Sequence, residues 1–270
     1  MPFRTPISSR ERRRLVLASL GMSGLLAVPA VALAQASAQP LLLMAGAGYK
    51  RPVEALCAAF TQQTGIAVDR SYGNLQQVFA QARASGRVDV LVGDADFINK
   101  AKDLALPQRT GLGQGVMALA WRKGLEVKAG SVGHAMAREL LGLPGLSVGM
   151  PNPQQAIYGN AASQWLRAQG LWGGVQERLK TVGTVPQVTA YLTSGQVDLG
   201  FVNLTEALAV KDQLGGFTSL PAGADSYTAI EIVAAMPAAG EQVATQASRE
   251  RFAAFLATPT AQDLLRRAGL

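Results

Sequence analysis

The sequence predicts an α/β protein of two lobes, with mostly parallel sheets flanked by helices and two crossover segments serving as the hinge. Three observations carry this. From residue 41 onward short apolar runs alternate with stretches of helical periodicity, the signature of strands covered by helices. The order opens β-α-β-α-β, which implies parallel neighbours. A last apolar strand, Ala229–Ala234, returns after a block that has strands and helices of its own. The expected division is 37–121 plus 222–270 for the first lobe and 122–221 for the second.

The elements follow in order. Leu41–Ala45 is an apolar run read as a buried strand, and Gly46-Ala47-Gly48-Tyr49 turns the chain. Val53, Leu56, Cys57 and Phe60 recur at i, i+3, i+4 and i+7, an amphipathic helix ended by Gly65. Ile66–Tyr72 reads as the second strand. Leu75, Val78, Phe79 and Ala82 mark a helix stopped at Gly86, and Val88–Val92 is the third strand. Val116–Trp121 is a strand at which the chain is expected to cross to the second lobe. That lobe is expected to hold a strand at Leu146–Val148, helices across Ala161–Gln169 and Pro186–Ser194, and a strand at Leu199–Val202. The return crossing is expected near Phe217–Leu220. Phe252, Phe255 and Leu256 share a face of a C-terminal helix, and Thr258-Pro259 begins the last one as an N-cap followed by proline.

Charge narrows the function classes. The chain carries a net charge of +7, but residues 1–34 hold five arginines against Glu11, a surplus of 5 − 1 = +4, which leaves 7 − 4 = +3 for the rest. No basic run follows Arg14, so nucleic acid is not an expected partner. Arg10–Arg14, the apolar run Leu15–Leu33 and the Ala-x-Ala spacing of Ala32, Ala34, Ala36 and Ala38 read as an export signal over residues 1–36. Arg12-Arg13 fits both a twin-arginine and an ordinary Sec leader. An uncleaved anchor is a third reading, which Gly21, Gly24 and Pro29 disfavour. Cys57 is the single cysteine, so no intrachain disulfide is possible, and its place on an apolar helix face makes it a core thiol.

The catalytic motifs are weak. Gly145-Leu146-Ser147-Val148-Gly149 matches the nucleophile elbow of hydrolases, yet Met150-Pro151-Asn152-Pro153 is a poor helix start and the one histidine, His134, lies upstream. Ser147 therefore reads as a small residue on a strand, and His134 as a packed or surface side chain. One histidine and one cysteine build no ordinary zinc site, and no metal or cofactor is expected. Asp89, Asp94 and Asp96 cluster around the third strand and read as turn and cap residues. Gly46-x-Gly48 lacks the third glycine of a dinucleotide fingerprint, since Arg51 stands there.

A different signal points to anion binding. Ala47-Gly48, Ser71-Tyr72-Gly73-Asn74 and Pro153-Gln154-Gln155-Ala156 each sit between a strand end and a helix start. Helix N-termini offer unpaired N–H groups and the positive dipole end. Ligands of open α/β sheets bind beyond the strand carboxyl ends.

The motifs in order resemble a known family. Met44-Ala45-Gly46-Ala47-Gly48 with Phe60-x₄-Gly65, Val88–Asp94, Ala156-Ile157-Tyr158 with Gly170-Leu171-Trp172, Val197–Val202, and Phe255-Leu256-x₂-Pro259-x-Ala261-Gln262 are similar to the corresponding stretches of the periplasmic molybdate-binding proteins of ABC transporters. The resemblance spans Leu41–Leu270. It implies the type II periplasmic-binding-protein fold, a monomeric periplasmic carrier that hands a molybdate- or tungstate-like oxyanion to an ABC transporter permease, no catalytic step, and a site made of hydroxyls, backbone N–H groups and a tyrosine. Carried over by position, the ligand-binding residues are Ala47, Gly48, Asn74, Leu75, Gln76, Gln155, Ala156, Val185 and Asn203. Several departures stand among them. Gly48 replaces a serine, Gly73-Asn74-Leu75-Gln76 replaces a serine-rich turn, Gln155 replaces a small residue, and Asn203 replaces the ligand tyrosine. Two readings follow: amides substitute for hydroxyls around the same anion, or the pocket serves another small anion or polar organic ligand. Lys50 and Arg51 would add positive charge if they faced the site and would otherwise lie on the solvated helix face. An exported sensor or accessory protein of the same fold is the competing class.

Overall fold

A computed structural model of the chain describes residues 39–127 and 130–270. The expected export signal lies outside them. Among the described residues ten strands form two five-stranded sheets. The first holds β1 (Leu41–Gly46), β2 (Val68–Gly73), β3 (Val90–Asp94), β4 (Gln108–Gly115) and β10 (Ile230–Met236), in the order β2-β1-β3-β10-β4. The second holds β5 (Met117–Arg122), β6 (Val148–Pro151), β7 (Leu179–Val182), β8 (Leu199–Asn203) and β9 (Leu214–Leu220), in the order β7-β6-β8-β5-β9. The helices are α1 (Lys50–Thr64), α2 (Leu75–Ser85), α3 (Ala95–Lys100), α4 (Gly133–Gly142), α5 (Ile157–Ala168), α6 (Trp172–Val175), α7 (Val185–Thr193), α8 (Leu204–Ala209), α9 (Val243–Leu256) and α10 (Pro259–Arg267). Among the described residues no helix is long and apolar enough to cross a membrane.

Two expectations need adjustment. The sheets are mostly parallel, with four of five strands in each running one way, but each also holds one antiparallel strand. In the first, β1 runs parallel to β2 and β3 while β10 runs antiparallel to β3 and β4. In the second, β6 runs parallel to β7 and β8 while β5 runs antiparallel to β8 and β9. The reason is the crossing itself. One segment leaves the first sheet and another returns to it, and outgoing and returning chains that lie side by side run in opposite directions. The second correction places Met117–Trp121 in the second sheet. Only Val116 separates β4 from β5, so the chain crosses before this strand and not after it. The glycine-rich β4, with Gly111, Gly113 and Gly115, lacks the apolar run by which a strand is recognised.

Local chemistry explains the boundaries. Gly65, at φ 71°, ends α1 in the left-handed conformation and its N–H bonds the Thr61 carbonyl at 2.8 Å. Asn74 and Gln77 form a capping box at the start of α2, and Thr184 and Gln187 form another at α7. Thr258 caps α10 through the Ala261 N–H. Phe60 of α1 meets Phe252 of α9 edge-on at 4.9 Å, which holds the C-terminal helices against the first sheet. Cys57 is fully buried beside them, and burial pushes its thiol pKa up to about 12, far from a reactive thiolate.

The candidate catalytic groups turn out to be joints. The fully buried Asp89 accepts the Leu42 N–H at 2.7 Å, the Arg87 guanidinium at 2.8 Å and the Thr245 hydroxyl, with Arg249 at 3.6 Å. This ties the start of β1 to α9. Asp94 is the N-cap of α3, accepting the Phe97 N–H at 2.9 Å. Ser147 Oγ donates to Asp198 at 2.8 Å, and Arg122 bonds the same carboxylate at 2.8 Å. His134 accepts the Trp165 indole N–H at 2.8 Å and stacks on its ring.

Candidate functional site

Four chain segments meet around a cavity of about 30 Å³ between the sheets. Gly46–Tyr49 follow β1, Gly73–Leu75 follow β2, Ala156–Tyr158 begin α5, and Gly183–Val185 lead from β7 into α7. Each lies at the C-terminal end of a strand or the N-terminal end of a helix, where backbone N–H groups have no helical carbonyl to bond. No charged side chain is among the lining residues. Beside it a larger cavity of about 520 Å³ opens between α2 and α3 on one side and α5 and α6 on the other, lined by Gln76, Phe97, Lys100, Arg167 and Trp172 among others.

The local hydrogen bonds determine which donors are left over. At α2, the Asn74 N–H donates to Gln77 Oε1 at 3.1 Å and Asn74 Oδ1 accepts the Gln77 N–H at 2.9 Å. The box consumes those groups, leaving the Leu75 and Gln76 N–H groups and the Asn74 side-chain amide, which lies 3.5 Å from Gln155 Oε1 across the cleft. At α7, the N–H groups of Gly183 and Thr184 both donate to Gln187 Oε1, at 2.8 and 3.1 Å, while Thr184 Oγ1 accepts from the Gln187 N–H at 3.4 Å. Val185 N–H remains, and Pro186 after it has none to offer. At α5, the N–H groups of Gln155 and Ala156 bond the Asn152 carbonyl, at 3.2 and 3.0 Å. The first-turn donors there are therefore Ile157 and Tyr158.

The structure brings together Ala47, Gly48, Asn74, Leu75, Ala156 and Val185 of the expected set. Gln76 lines the larger cavity instead, and Gln155 is exposed. Asn203 is fully buried. Its Nδ2 donates to the Gly48 carbonyl at 2.8 Å and contacts the Thr205 hydroxyl, while its Oδ1 has no partner. Lys50 and Arg51 do not line the cavity. The Lys50 ammonium sits 5.7 Å from the Tyr72 ring centre, and Arg51 bonds Glu206 at 3.2 Å. Ser71 donates to Gln81 at 2.8 Å.

Seven lining residues lie outside the expected set, Gly46, Tyr49, Gly73, Ile157, Tyr158, Gly183 and Thr184, and three of them, Tyr49, Tyr158 and Thr184, bring polar side chains. Thr184 was findable, because Thr-x-x-Gln directly before Pro-containing helix starts is a capping signature. Tyr49 Oη donates to Tyr158 Oη at 2.9 Å across the cleft, and both rings are buried. Burial pushes both pKa values up; the neighbouring Tyr158 adds to the rise at Tyr49, while the bond from Tyr49 offsets only part of it at Tyr158, so both stay protonated. Nothing in the spacing of residues 49 and 158 announces this pair.

The chain is similar in sequence and in fold to known binding proteins. Residues 41–270 match the family described as bacterial extracellular solute-binding protein. A binding protein of Haemophilus influenzae is 26% identical over 200 residues, 72% of this chain and 78% of that one. The molybdate-binding protein ModA of Rhodobacter capsulatus is 24% identical over 252 residues, 92% of this chain and 94% of that one. Among solved structures, the periplasmic molybdate-binding protein of Azotobacter vinelandii superposes with a TM-score of 0.71 at 28% identity, covering 85% of this chain and 97% of that one.

Proposed function

The chain belongs to the bacterial extracellular solute-binding proteins, and on that premise we propose that it is the periplasmic binding component of an ABC uptake transporter, carrying molybdate or a closely related oxyanion. The observation that carries this is the cavity between the sheets, built from helix N-termini and neutral polar groups with no charged side chain on its wall. Such a wall stabilises an anion with dipoles and N–H donors. It supplies no nucleophile, no general base and no carboxylate, so binding without turnover is the chemistry that fits. The names of the relatives point the same way, and the departures at Gly48, Asn74 and Asn203 are met by backbone donors that side-chain replacement leaves in place. In this reading the arginine-rich leader serves export, the carrier is a monomer, and a membrane permease receives the ligand.

A wall of donors prefers a ligand whose oxygens all accept. Molybdate, tungstate and sulfate satisfy that at neutral pH. Hydrogen phosphate brings a proton that needs an acceptor, and an unmet polar group in a closed cavity is costly. The test is a thermal-shift panel on leader-free protein with molybdate, tungstate, sulfate, thiosulfate, phosphate and small organic acids. A ligand present at about 100 times its dissociation constant stabilises the fold by roughly 2.7 kcal/mol, on the order of 5–10 °C for a chain of this size. The expected result is a large shift with molybdate and tungstate and little with phosphate. A shift confined to an organic acid would reassign the ligand, and no shift with any anion would remove the oxyanion reading.

A further inference from the structure

We infer that the Tyr158 hydroxyl, held from the opposite sheet by Tyr49, is a side-chain donor to the bound oxyanion and a determinant of its selection. The inference rests on the oxyanion reading above. It starts from a count of protons. Two phenols carry two O–H protons, and the 2.9 Å bond from Tyr49 to Tyr158 uses one of them. Among the described residues no hydrogen bond gives the Tyr158 proton an acceptor, since its other polar neighbour, the Asn203 side chain, acts on the phenol as a donor that lowers its pKa. Both tyrosines are only 2% exposed, so water does not readily take its place. A buried hydroxyl proton without an acceptor is costly, and the cavity that both rings border is the space where an acceptor can lie.

Two further observations fit this assignment and none of the family's expected hydroxyls competes with it. Asn203 stands where the resemblance expects the ligand tyrosine, but its Nδ2 is committed to the Gly48 carbonyl at 2.8 Å and its Oδ1 is an acceptor without a partner. It offers the anion nothing that a phenol would. Gly115, the last residue of β4, leaves the room that the pair needs: a Cβ there would stand 2.4 Å from Tyr158 Oη and 3.2 Å from Tyr49 Oη. The hydroxyl lost at position 203 thus returns from α5, across the cavity and oriented by the β1–α1 turn. Because donor and orienting residue belong to elements packed on different sheets, the O–H points correctly only while the two sheets are closed on each other. The ligand oxygen facing Tyr158 must be a bare acceptor, which adds a side-chain reason to favour a fully deprotonated tetrahedral anion.

The experiment is isothermal titration of wild type, Tyr158→Phe and Tyr49→Phe with molybdate and with sulfate, alongside the melting temperature of each ligand-free protein. A hydrogen bond to a charged group predicts a loss of affinity on the order of ten- to a hundredfold in Tyr158→Phe. Tyr49→Phe keeps the donor and loses only its orientation, so the loss is smaller. The ligand-induced melting shift shrinks in the same order. Wild-type affinity in a folded Tyr158→Phe protein overturns the inference, and so do equal affinity losses in both variants that track their ligand-free melting temperatures. If Tyr158→Phe does not fold, Gly115→Ala displaces the same hydroxyl without deleting it, and unchanged affinity there and in Tyr49→Phe overturns the inference too. Absence of anion binding by the wild type removes the parent reading and this one with it, a result distinct from any in the variants.

Discussion

Two buried polar regions of this protein are built on opposite principles. Around Asp89 the first sheet is knotted with full charges: one carboxylate holds a backbone N–H, two guanidinium groups and a hydroxyl, and neither of its oxygens is left unpaired. Around the cavity between the sheets no charged side chain lines the wall, and the groups that do are N–H donors of first helical turns, phenols, an amide and a threonine. The contrast follows from how often each region must be desolvated. A joint that forms once on folding can carry charges, because every lone pair finds a fixed partner. A pocket that fills and empties has to trade water for ligand repeatedly, and neutral dipoles make that exchange less costly than buried ions do.

The largest effect should come from the charged knot. Asp89→Ala leaves Arg249, itself almost fully buried, without its counter-charge, and a broken buried pair costs about 3–5 kcal/mol. Urea unfolding should show that loss, while the dissociation constant for molybdate stays within twofold of wild type. A variant with normal stability and weak binding would reverse the roles assigned to the two regions.

Gly159→Ala tests the cavity side. A Cβ there would stand 2.2 Å from the Pro151 carbonyl oxygen and 2.6 Å from that of Asn152, so the first turn of α5 must move. Overpacking of this kind costs about 1–3 kcal/mol. Unlike Asp89→Ala, it should also weaken anion binding, because Ile157 and Tyr158 shift with the turn. Calorimetry that finds full affinity would mean the α5 N-terminus is not part of the site.

A matched pair of caps sharpens the comparison. Thr184 and Thr258 both cap a helix that has proline in its first turn, and loss of either should cost about 1 kcal/mol. Thr184 lines the cavity and Thr258 does not. Only Thr184→Ala should lower affinity, and equal affinities would show that the α7 cap serves folding alone.

The smallest effect is a pH dependence. Burial pushes the Asp198 carboxyl up, but the Ser147 N–H, the Arg122 guanidinium and the Ser147 hydroxyl outweigh it and bring the pKa below the ordinary 3.8. A folded pKa below the unfolded one stabilises the protein above that ordinary value, and the contribution disappears as pH falls through the folded value. The stability gap between wild type and Asp198→Asn should therefore be wider at pH 7 than at pH 3. A gap that widens on acidification would contradict the assignment.

How far the sequence could be read depends on what each feature is made of. Strands such as Leu41–Gly46 and helices such as α1 and α2 were legible because apolar periodicity and a terminating glycine are local signals. The one antiparallel strand in each sheet was not, because it depends on which strands neighbour the crossings. β4 escaped notice because its glycines leave no apolar run. The turns carrying Ala47, Gly48, Asn74, Leu75, Ala156 and Val185 were expected by position, and the structure sets them around one cavity. The Tyr49–Tyr158 bond joins residues 109 apart on different sheets, and no local pattern encodes such a meeting. Which N–H groups are free was also hidden, since capping boxes and the Asn152 turn consume some and leave their neighbours.

The crossing at Val116 has a mechanical consequence. On that side one residue joins the two sheets, whereas the return path from β9 to β10 has nine. Tyr227 on the return path takes the Met117 N–H at 2.9 Å and donates to the Leu220 carbonyl at 2.7 Å, so the longer strap is riveted to the start of β5 and the end of β9. What slack it has is confined to the stretch between that rivet and Ile230. Any rotation of one sheet against the other would therefore be concentrated beside a single pivot, and a few degrees there would be multiplied along the length of α2 and α5 into the opening of the cleft. The protein is geared like tweezers, with the fulcrum close to the phenol pair.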